Sequence, residues 1–123
     1  MAEISPQGRV LKTISLTEVL IENGYESLIF GVGGYEDDAL HLNDVQPALT
    51  SGKFWNKGDL LISLRNLSTV FLLRLSTREI IWLKTGPWIN QHDVDFVDDA
   101  RISIFDNAAI RNQSWPWDIS FNN

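Results

Sequence analysis

The sequence contains two histidines, and each stands at the start of a run of residues with strand character. His41 begins the segment 41–44 (His-Leu-Asn-Asp), and His92 lies in the segment 91–93 (Gln-His-Asp). A neutral imidazole is a competent nucleophile near pH 7. A histidine in such a place can equally be a surface residue or a hydrogen-bonded turn group. The residue types therefore permit nucleophilic chemistry at both positions without establishing it.

A metal site is an alternative interpretation of the segment around His92. The side chains of His92, Asp93, Asp95, Asp98 and Asp99 offer nitrogen and oxygen ligands that suit a hard or borderline cation. In a strand, however, Asp93 and Asp95 point to the face opposite His92. Acidic residues in turns are also common solvated features. We therefore expect neither a metal nor another cofactor here.

From residue 40 onward, the sequence predicts strands, and these strands must position the side chains named above. Apolar runs of about six residues, separated by turn signals, favour strands over buried helices. Their nearly continuous apolar character is typical of strands covered on both faces. The predicted strands span residues 40–45, 60–66, 69–75, 79–84, 91–97 and 101–106.

The first third of the chain has a different pattern. Residues 9–16 form an alternating run, and a short helical segment is predicted over 17–24, with Thr17 as its N-cap and Gly24 as its stop. The glycine-rich segment 31–34 has no following lysine and no long helix to receive a phosphate. We therefore interpret it as a loop.

The strand pattern restarts after residue 90. Residues 62–66 align with 103–107 at an offset of 41, and the two histidines are 51 residues apart. Repeats of about 40 to 50 residues, with about four strands each, are typical of β-propeller blades, although a β-sandwich has similar strands without the repeat. We predict an all-β chain of antiparallel four-stranded blades with a short N-terminal helical turn. Blade-like units cover roughly 40–85 and 91–123, with flanking strands at 9–30, in one domain over 1–123.

Composition excludes several classes of function. The net charge is −6 and no cluster of Lys and Arg is present, so nucleic acid and anionic membrane surfaces are not expected partners. An anionic ligand would need a local positive group. The absence of cysteine excludes disulfides and thiol catalysis. No run approaches the ~20 apolar residues of a membrane-spanning helix, and residues 1–10 do not read as a signal peptide.

An ordered set of short motifs resembles the arylsulfotransferase family. The resemblance covers about half of the chain closely and the 9–16 region more loosely. Its motifs are 41–44 (His-Leu-Asn-Asp), 58–66 (Gly-Asp-Leu-Leu-Ile-Ser-Leu-Arg-Asn), 80–82 (Ile-Ile-Trp), 86–88 (Gly-Pro-Trp), 91–93 (Gln-His-Asp) and 104–107 (Ile-Phe-Asp-Asn). The resemblance implies a six-bladed propeller with a central funnel. It also implies transfer of a sulfuryl group from an aryl sulfate to a phenol, without a nucleotide sulfate donor.

The resemblance also implies roles for three residues. His92 matches the family's nucleophile, which carries the group as a sulfohistidine, and Arg65 and His41 match further active-site positions. A guanidinium and a second imidazole suit the negative charge of a transferring sulfuryl group. We add Asn43 and Trp88 as candidate substrate-binding residues, with Trp88 stacking on the aryl ring. Four other tryptophans (Trp55, Trp82, Trp115 and Trp117) are predicted to pack between blades, as Trp88 itself also would in a purely structural role.

Length and histidine content set limits on this interpretation. Six blades need roughly 250 to 300 residues, whereas the 123 residues supply about two. Three explanations remain open: a fragment of a longer protein, three copies that close a six-bladed ring, or a smaller β fold that is not a propeller. No third histidine is present, and Arg65 could instead pair with Asp44 or Asp106 in a structural role. The alternative to a transferase is a non-catalytic β module that binds a ligand or protein. The resemblance suggests a periplasmic or secreted location.

Overall fold

The computed structural model describes residues 1–31, 37–108 and 115–121, and the side chain of Trp115 is outside this description. The chain divides into two compact units, Met1–Tyr35 and Glu36–Asn123. Both contain antiparallel strands, and the structure is mostly β, as predicted. It has two short helices, whereas the sequence predicted one helical turn. No helix among the described residues is long and apolar enough to cross a membrane.

The first unit is a hairpin followed by two helices. Strand β1 (Ala2–Ile4) pairs antiparallel with β2 (Val10–Thr13), and α1 (Leu16–Glu22) and α2 (Glu26–Phe30) follow. The predicted cap at Thr17 is wrong, because Ser15 caps α1 and its Oγ accepts a hydrogen bond from the Glu18 N–H at 3.3 Å. Gly24 follows the helix at φ +80°, a conformation that favours glycine, so the predicted stop is confirmed.

The flanking strands expected over residues 9–30 reduce to β2 alone. The short apolar segment at 28–30 belongs to α2, whose end is closed by a hydrogen bond from the Gly31 N–H to the Ser27 carbonyl at 2.9 Å. Three apolar residues are too few to show a period of two or of 3.6, so the pattern does not separate strand from helix here. Of the predicted loop at 31–34, only Gly31 lies within the described residues.

The first sheet of the second unit contains four antiparallel strands in chain order. These are β3 (Leu42–Pro47), β4 (Leu60–Leu64), β5 (Thr69–Arg74) and β6 (Glu79–Thr85). The two central strands are buried on both faces from 61 to 64 and from 69 to 73, as their continuous apolar character predicted. The antiparallel four-stranded sheet is therefore confirmed, while the number of blades stays a prediction.

The second sheet repeats the first in shorter form. Strands β7 (Val94–Phe96), β8 (Arg101–Asp106) and β9 (Trp115–Ser120) pair antiparallel in that order. At the predicted turn between β7 and β8, the Asp98 Oδ1 atom accepts the N–H groups of Ala100 and Arg101, both at 2.9 Å. An aspartate that accepts backbone N–H groups two and three residues ahead closes such a turn without glycine.

The first sheet contains a β-bulge that the described pairs of the second sheet lack. Leu42 lies opposite Leu64 but Asp44 lies opposite Ser63, so Asn43 is an extra residue in β3. Val94, Asp95 and Phe96 pair with Ile104, Ser103 and Ile102 without such a shift. The alignment of residues 62–66 with 103–107 stays a prediction.

The two sheets share one hydrophobic core. Leu61, Val70 and Leu72 of the first sheet pack with Ile102 and Ile104 of the second, and all five side chains are fully buried. The tryptophans behave largely as predicted, since Trp55 and Trp88 are buried in this core and Trp82 and Trp117 pack against it. Large buried aromatic side chains of this kind stabilise a fold by about 3–5 kcal/mol each relative to alanine.

A buried ion pair secures the loop that leads into β4. The Asp59 carboxylate is 5% exposed, and it receives hydrogen bonds from the Arg74 Nη2 atom at 2.9 Å and the Asn56 N–H at 2.8 Å. The hydrogen bond to Asp59 is the main cause that raises the pKa of Arg74 above its ordinary value. Because the carboxylate is satisfied by both partners, it is a structural anchor of the sheet.

Candidate functional site

A buried glutamine holds the segment that precedes His92. Gln91 is fully buried, and its Nε2 atom lies 3.0 Å from the Ser63 Oγ, 3.2 Å from the Leu64 carbonyl and 3.1 Å from the Thr69 carbonyl. These acceptors belong to β4, its end and the start of β5. The amide therefore fixes the backbone beside His92 to the rigid centre of the first sheet.

Asn43 ties the two sheets together from a β-bulge. The register of β3 shifts between Leu42 and Asp44, and bulges of this kind re-aim side chains. The Asn43 Nδ2 atom donates to the Gln91 carbonyl at 2.6 Å, across 48 residues of sequence. Asp44, the next residue, also links the two sheets, since its Oδ2 atom accepts the Val94 N–H at 2.9 Å. The candidate residue Asn43 thus positions the segment that carries His92.

His92 presents an exposed side chain on a fixed backbone. Its N–H donates to the Phe105 carbonyl of β8 at 3.0 Å, and the Phe105 N–H donates to the Asp93 carbonyl at 2.8 Å. These two bonds hold the backbone on one side, and the bonds of Gln91 hold it on the other. An exposed imidazole on a backbone secured from both sides is accessible to a ligand without being mobile as a loop.

Arg65 lies where β4 ends and joins the segments of both histidines. Its N–H donates to the His41 carbonyl at 3.0 Å, and its carbonyl accepts from the Asn90 Nδ2 atom at 3.1 Å. The guanidinium Nη1 atom lies 3.1 Å from the Asn66 Oδ1 atom. Through these bonds the residue that carries the guanidinium contacts the backbone of His41 and the side chain of Asn90, two residues before His92.

The structural alternative for Arg65 gains no support from its two expected partners. The Asp44 Oδ2 atom accepts the Val94 N–H, and the Asp106 carboxylate accepts the Ile89 N–H and the Trp117 indole N–H. The guanidinium of Arg65 instead contacts the neighbouring Asn66. An ion pair with either aspartate is absent among the residues that the structure describes.

His41 has an unusual backbone conformation and a close carboxylate partner. Its φ is +47°, in the left-handed region that few residues other than glycine adopt. The imidazole Nδ1 atom lies 2.6 Å from the Asp38 Oδ2 atom, and the His41 N–H donates to the Asp38 Oδ1 atom at 3.1 Å. The side chain of His41 is 44% exposed.

Asp93, beside His92, is an acid held in an unfavourable environment. Partial desolvation, followed by the negative charges of Asp95 and Asp44, raises the pKa of Asp93, and a hydrogen bond with Asp44 acts in the same direction. The charge of His92 opposes this shift. The segment around the candidate nucleophile therefore carries an acid that resists ionisation.

We expect the Asp93→Asn variant to be slightly more stable than the wild type at neutral pH. A carboxyl whose pKa is raised by folding destabilises the folded state above that pKa and has no effect below its ordinary pKa. Since the residue is exposed and solvent screens its charge, we expect a gain in Tm of only about 1–2 °C near pH 7. Thermal unfolding near pH 7 and near pH 3, with Asp37→Asn as the control, checks this difference in Tm. An equal gain in Tm at the two pH values would contradict the prediction.

Trp88 does not lie where a substrate-stacking residue should. Its side chain is 1% exposed and belongs to the core between the sheets. Its indole N–H has no hydrogen-bond partner among the described residues. Because both faces of the ring are covered by protein, the structural role weighed for this residue fits its position, and the predicted stacking on an aryl ring does not.

Neither a metal site nor the cleft described below coincides with the candidate residues. No group of three or more histidine and acidic side chains in 1–31, 37–108 and 115–121 is arranged to hold a metal ion. A cleft of about 420 Å³ lies at the far ends of β3 and β7, lined by Trp55, Phe96 and the acidic residues Asp95, Asp98 and Asp99. His41, Arg65 and His92 are not among its lining residues.

Sequence reasoning missed the residues that support the site. Gln91 belongs to the motif 91–93, and its place directly before the aligned histidine was the available signal for it. Asp38 lies in the acidic run 36–38, for which the sequence predicts no role. Its spacing of three residues before His41 was the available signal.

The fold and these positions define a β-sheet protein whose two histidines and one arginine lie on segments that meet at one end of its paired sheets. The model of the arylsulfotransferase (ASST) family matches residues 1–118 of the chain. The chain therefore belongs to the arylsulfotransferase family, as its motifs suggested. No curated protein and no solved structure matches it.

Proposed function

We propose that this chain carries the nucleophile and two supporting groups of an aryl-sulfate sulfotransferase site, in which His92 accepts a sulfuryl group from an aryl sulfate and passes it to a phenol. The observation that supports this most is the junction at Arg65. Its backbone N–H binds the His41 carbonyl, and its carbonyl binds the Asn90 side chain, two residues before His92. Membership of the arylsulfotransferase family supplies the class of reaction.

Each group in the proposal has a defined task. A neutral nitrogen of the His92 imidazole attacks sulfur, a nitrogen–sulfur bond forms, and the sulfur–oxygen bond to the donor phenol breaks. The acceptor phenol then attacks the same sulfur, and the nitrogen–sulfur bond breaks with its electron pair returning to His92. The Arg65 guanidinium is a suitable donor to the sulfuryl oxygens, which carry negative charge throughout.

Arg65 also supplies the local positive charge that an anionic ligand needs in a negatively charged chain. The chain has a net charge of −6, which repels an aryl sulfate at long range. The positive charge of the Arg65 guanidinium compensates locally for this repulsion. Asn43 completes the arrangement, because its bond to the Gln91 carbonyl at 2.6 Å positions the His92 segment rather than the ligand.

The proposal predicts release of nitrophenolate from p-nitrophenyl sulfate that depends on a phenolic acceptor. A covalent intermediate that only a phenol discharges gives one turnover without acceptor and continuous release with it. Anisole is the matched control, because it has the same ring as phenol without a hydroxyl to receive the group. Titration over a range of protein concentrations also shows whether further copies complete the funnel. Release at the same rate with phenol and anisole, or no release at any concentration, would contradict transfer by this chain.

A further inference from the structure

Both oxygens of the Asp38 carboxylate contact the same residue, His41. Its Oδ2 atom lies 2.6 Å from the His41 Nδ1 atom, and its Oδ1 atom accepts the His41 backbone N–H at 3.1 Å. The Asp38 carbonyl in turn accepts the Asn66 Nδ2 atom at 2.8 Å, which links this loop to the residue after Arg65. Asp38 therefore orients the His41 imidazole through contacts with both the ring and the backbone of His41.

The chemistry of this contact determines where the proton of a neutral His41 resides. An ionised carboxylate has no hydrogen to donate, so the short contact requires a hydrogen on Nδ1. The hydrogen bond on one ring nitrogen sets the state of the other, and Nε2 is then left with its lone pair. In this tautomer Nε2 accepts a proton and does not donate one to a sulfuryl oxygen.

We propose that Asp38 is a positioning residue that holds His41 in the Nδ1–H tautomer and so makes its Nε2 atom the group that takes and returns the phenolic proton. This inference rests on the proposed function for the reaction that it serves. It gives His41 a different task from the hydrogen-bond donor to the sulfuryl group that was expected from its residue type. Arg65 is then the donor to the sulfuryl oxygens.

Protons and electrons balance in both halves of the reaction. When the acceptor phenol attacks, its proton moves to Nε2 of His41, its oxygen bonds to sulfur, and the nitrogen–sulfur bond to His92 breaks. The proton on Nε2 is returned when the next donor reacts, since the leaving phenolate oxygen takes it as the sulfur–oxygen bond breaks. The Asp38 carboxylate stays ionised throughout and stabilises the imidazolium that forms between the two transfers.

A role in folding stability does not account for the pair. The side chains of Asp38 and His41 are 66% and 44% exposed, and exposed ion pairs contribute between zero and about 1 kcal/mol. The left-handed backbone of His41 opposes even that contribution. The main consequence of the contact is the orientation and tautomer of one imidazole.

Nitrogen-15 NMR of the imidazoles tests the tautomer without reference to activity. The chain has only two histidines, so the two ring systems can be assigned by His92→Ala. At a pH where both rings are neutral, we expect the signals of His41 to report Nδ1–H in the wild type. We expect Asp38→Ala to shift them towards Nε2–H, while Asp37→Ala, which removes an adjacent exposed acid, leaves them unchanged. Nε2–H signals in the wild type, or identical signals in Asp38→Ala, would overturn the inference.

Kinetics tests the consequence of the tautomer. We expect Asp38→Ala to lower kcat by about 10- to 100-fold, most strongly with weakly acidic acceptor phenols, and to leave the KM for the aryl sulfate unchanged. Asp38→Asn should recover part of the loss, because its amide oxygen can still accept from Nδ1. An unchanged kcat in Asp38→Ala would overturn the inference. A wild type without transferase activity would instead contradict the proposed function, and the NMR result would still decide the tautomer.

Discussion

Replacing His92 with alanine is expected to lower acceptor-dependent release of nitrophenolate by about 1,000-fold or more. Removal of a nucleophile that forms a covalent intermediate eliminates the route itself, and losses in other enzymes reach about 10⁶-fold. The protein should remain folded, because the side chain of His92 is exposed and its described hydrogen bond is made by its backbone. The loss should therefore appear in kcat without a change in Tm.

The matched control for this variant is Lys57→Ala, which removes another exposed side chain in the loop between β3 and β4. We expect Lys57→Ala to retain the wild-type rate. A His92→Ala variant that keeps its activity would assign any release to another group on the protein. A variant that loses activity together with Tm would show that His92 acts in folding, against its exposed position.

Replacing Asp106 with alanine is expected to destabilise the fold by about 3 kcal/mol or more. Asp106 is fully buried, and its Oδ1 atom accepts the N–H groups of Ile89 at 3.0 Å and Ala108 at 2.8 Å. Its Oδ2 atom accepts the Trp117 indole N–H at 3.0 Å. Alanine leaves these donors unsatisfied, and each buried donor without a partner costs about 1–3 kcal/mol.

Urea unfolding measures this loss, and Asp99→Ala is the control because its carboxylate is 63% exposed and faces Lys53 at 3.7 Å. We expect Asp99→Ala to change the free energy of unfolding by less than about 1 kcal/mol. Asp106→Asn should fall between the two, since one amide oxygen can still accept N–H groups. A loss in Asp106→Ala no greater than in Asp99→Ala would contradict the role of this carboxylate.

The strands of the second unit were predictable because the length of the apolar runs and the turn residues between them both indicate strands. Apolar runs of strand length between turn residues gave β4, β5, β6 and β8 close to their observed bounds. The first unit was harder to predict, because the three apolar residues at 28–30 fit both the period of two of a strand and the period of 3.6 of a helix. The N-cap was misplaced by two residues, since Ser15 and Thr17 are both good caps and only the backbone distinguishes them.

The sequence suggests candidate residues for the site but does not indicate the hydrogen bonds that connect their segments. The bond from Asn43 to Gln91 spans 48 residues, and no local pattern contains it. The burial of Trp88 follows from the packing of the two sheets on each other, so its residue type alone left a ligand contact open beside the structural role. The contact of Asp38 with His41 depends on a left-handed backbone at a residue other than glycine, which propensities disfavour.

Direct detection of sulfohistidine tests the central claim most sharply. The protein is incubated with p-nitrophenyl sulfate without phenol, quenched at alkaline pH and digested with trypsin. The two histidines fall on separate peptides, 13–53 and 85–101. We predict a gain of one SO₃ group on the peptide 85–101, located at His92 by fragmentation and lost when phenol is added before the quench. An unmodified peptide 85–101, or a modification found only on 13–53, would contradict His92 as the nucleophile.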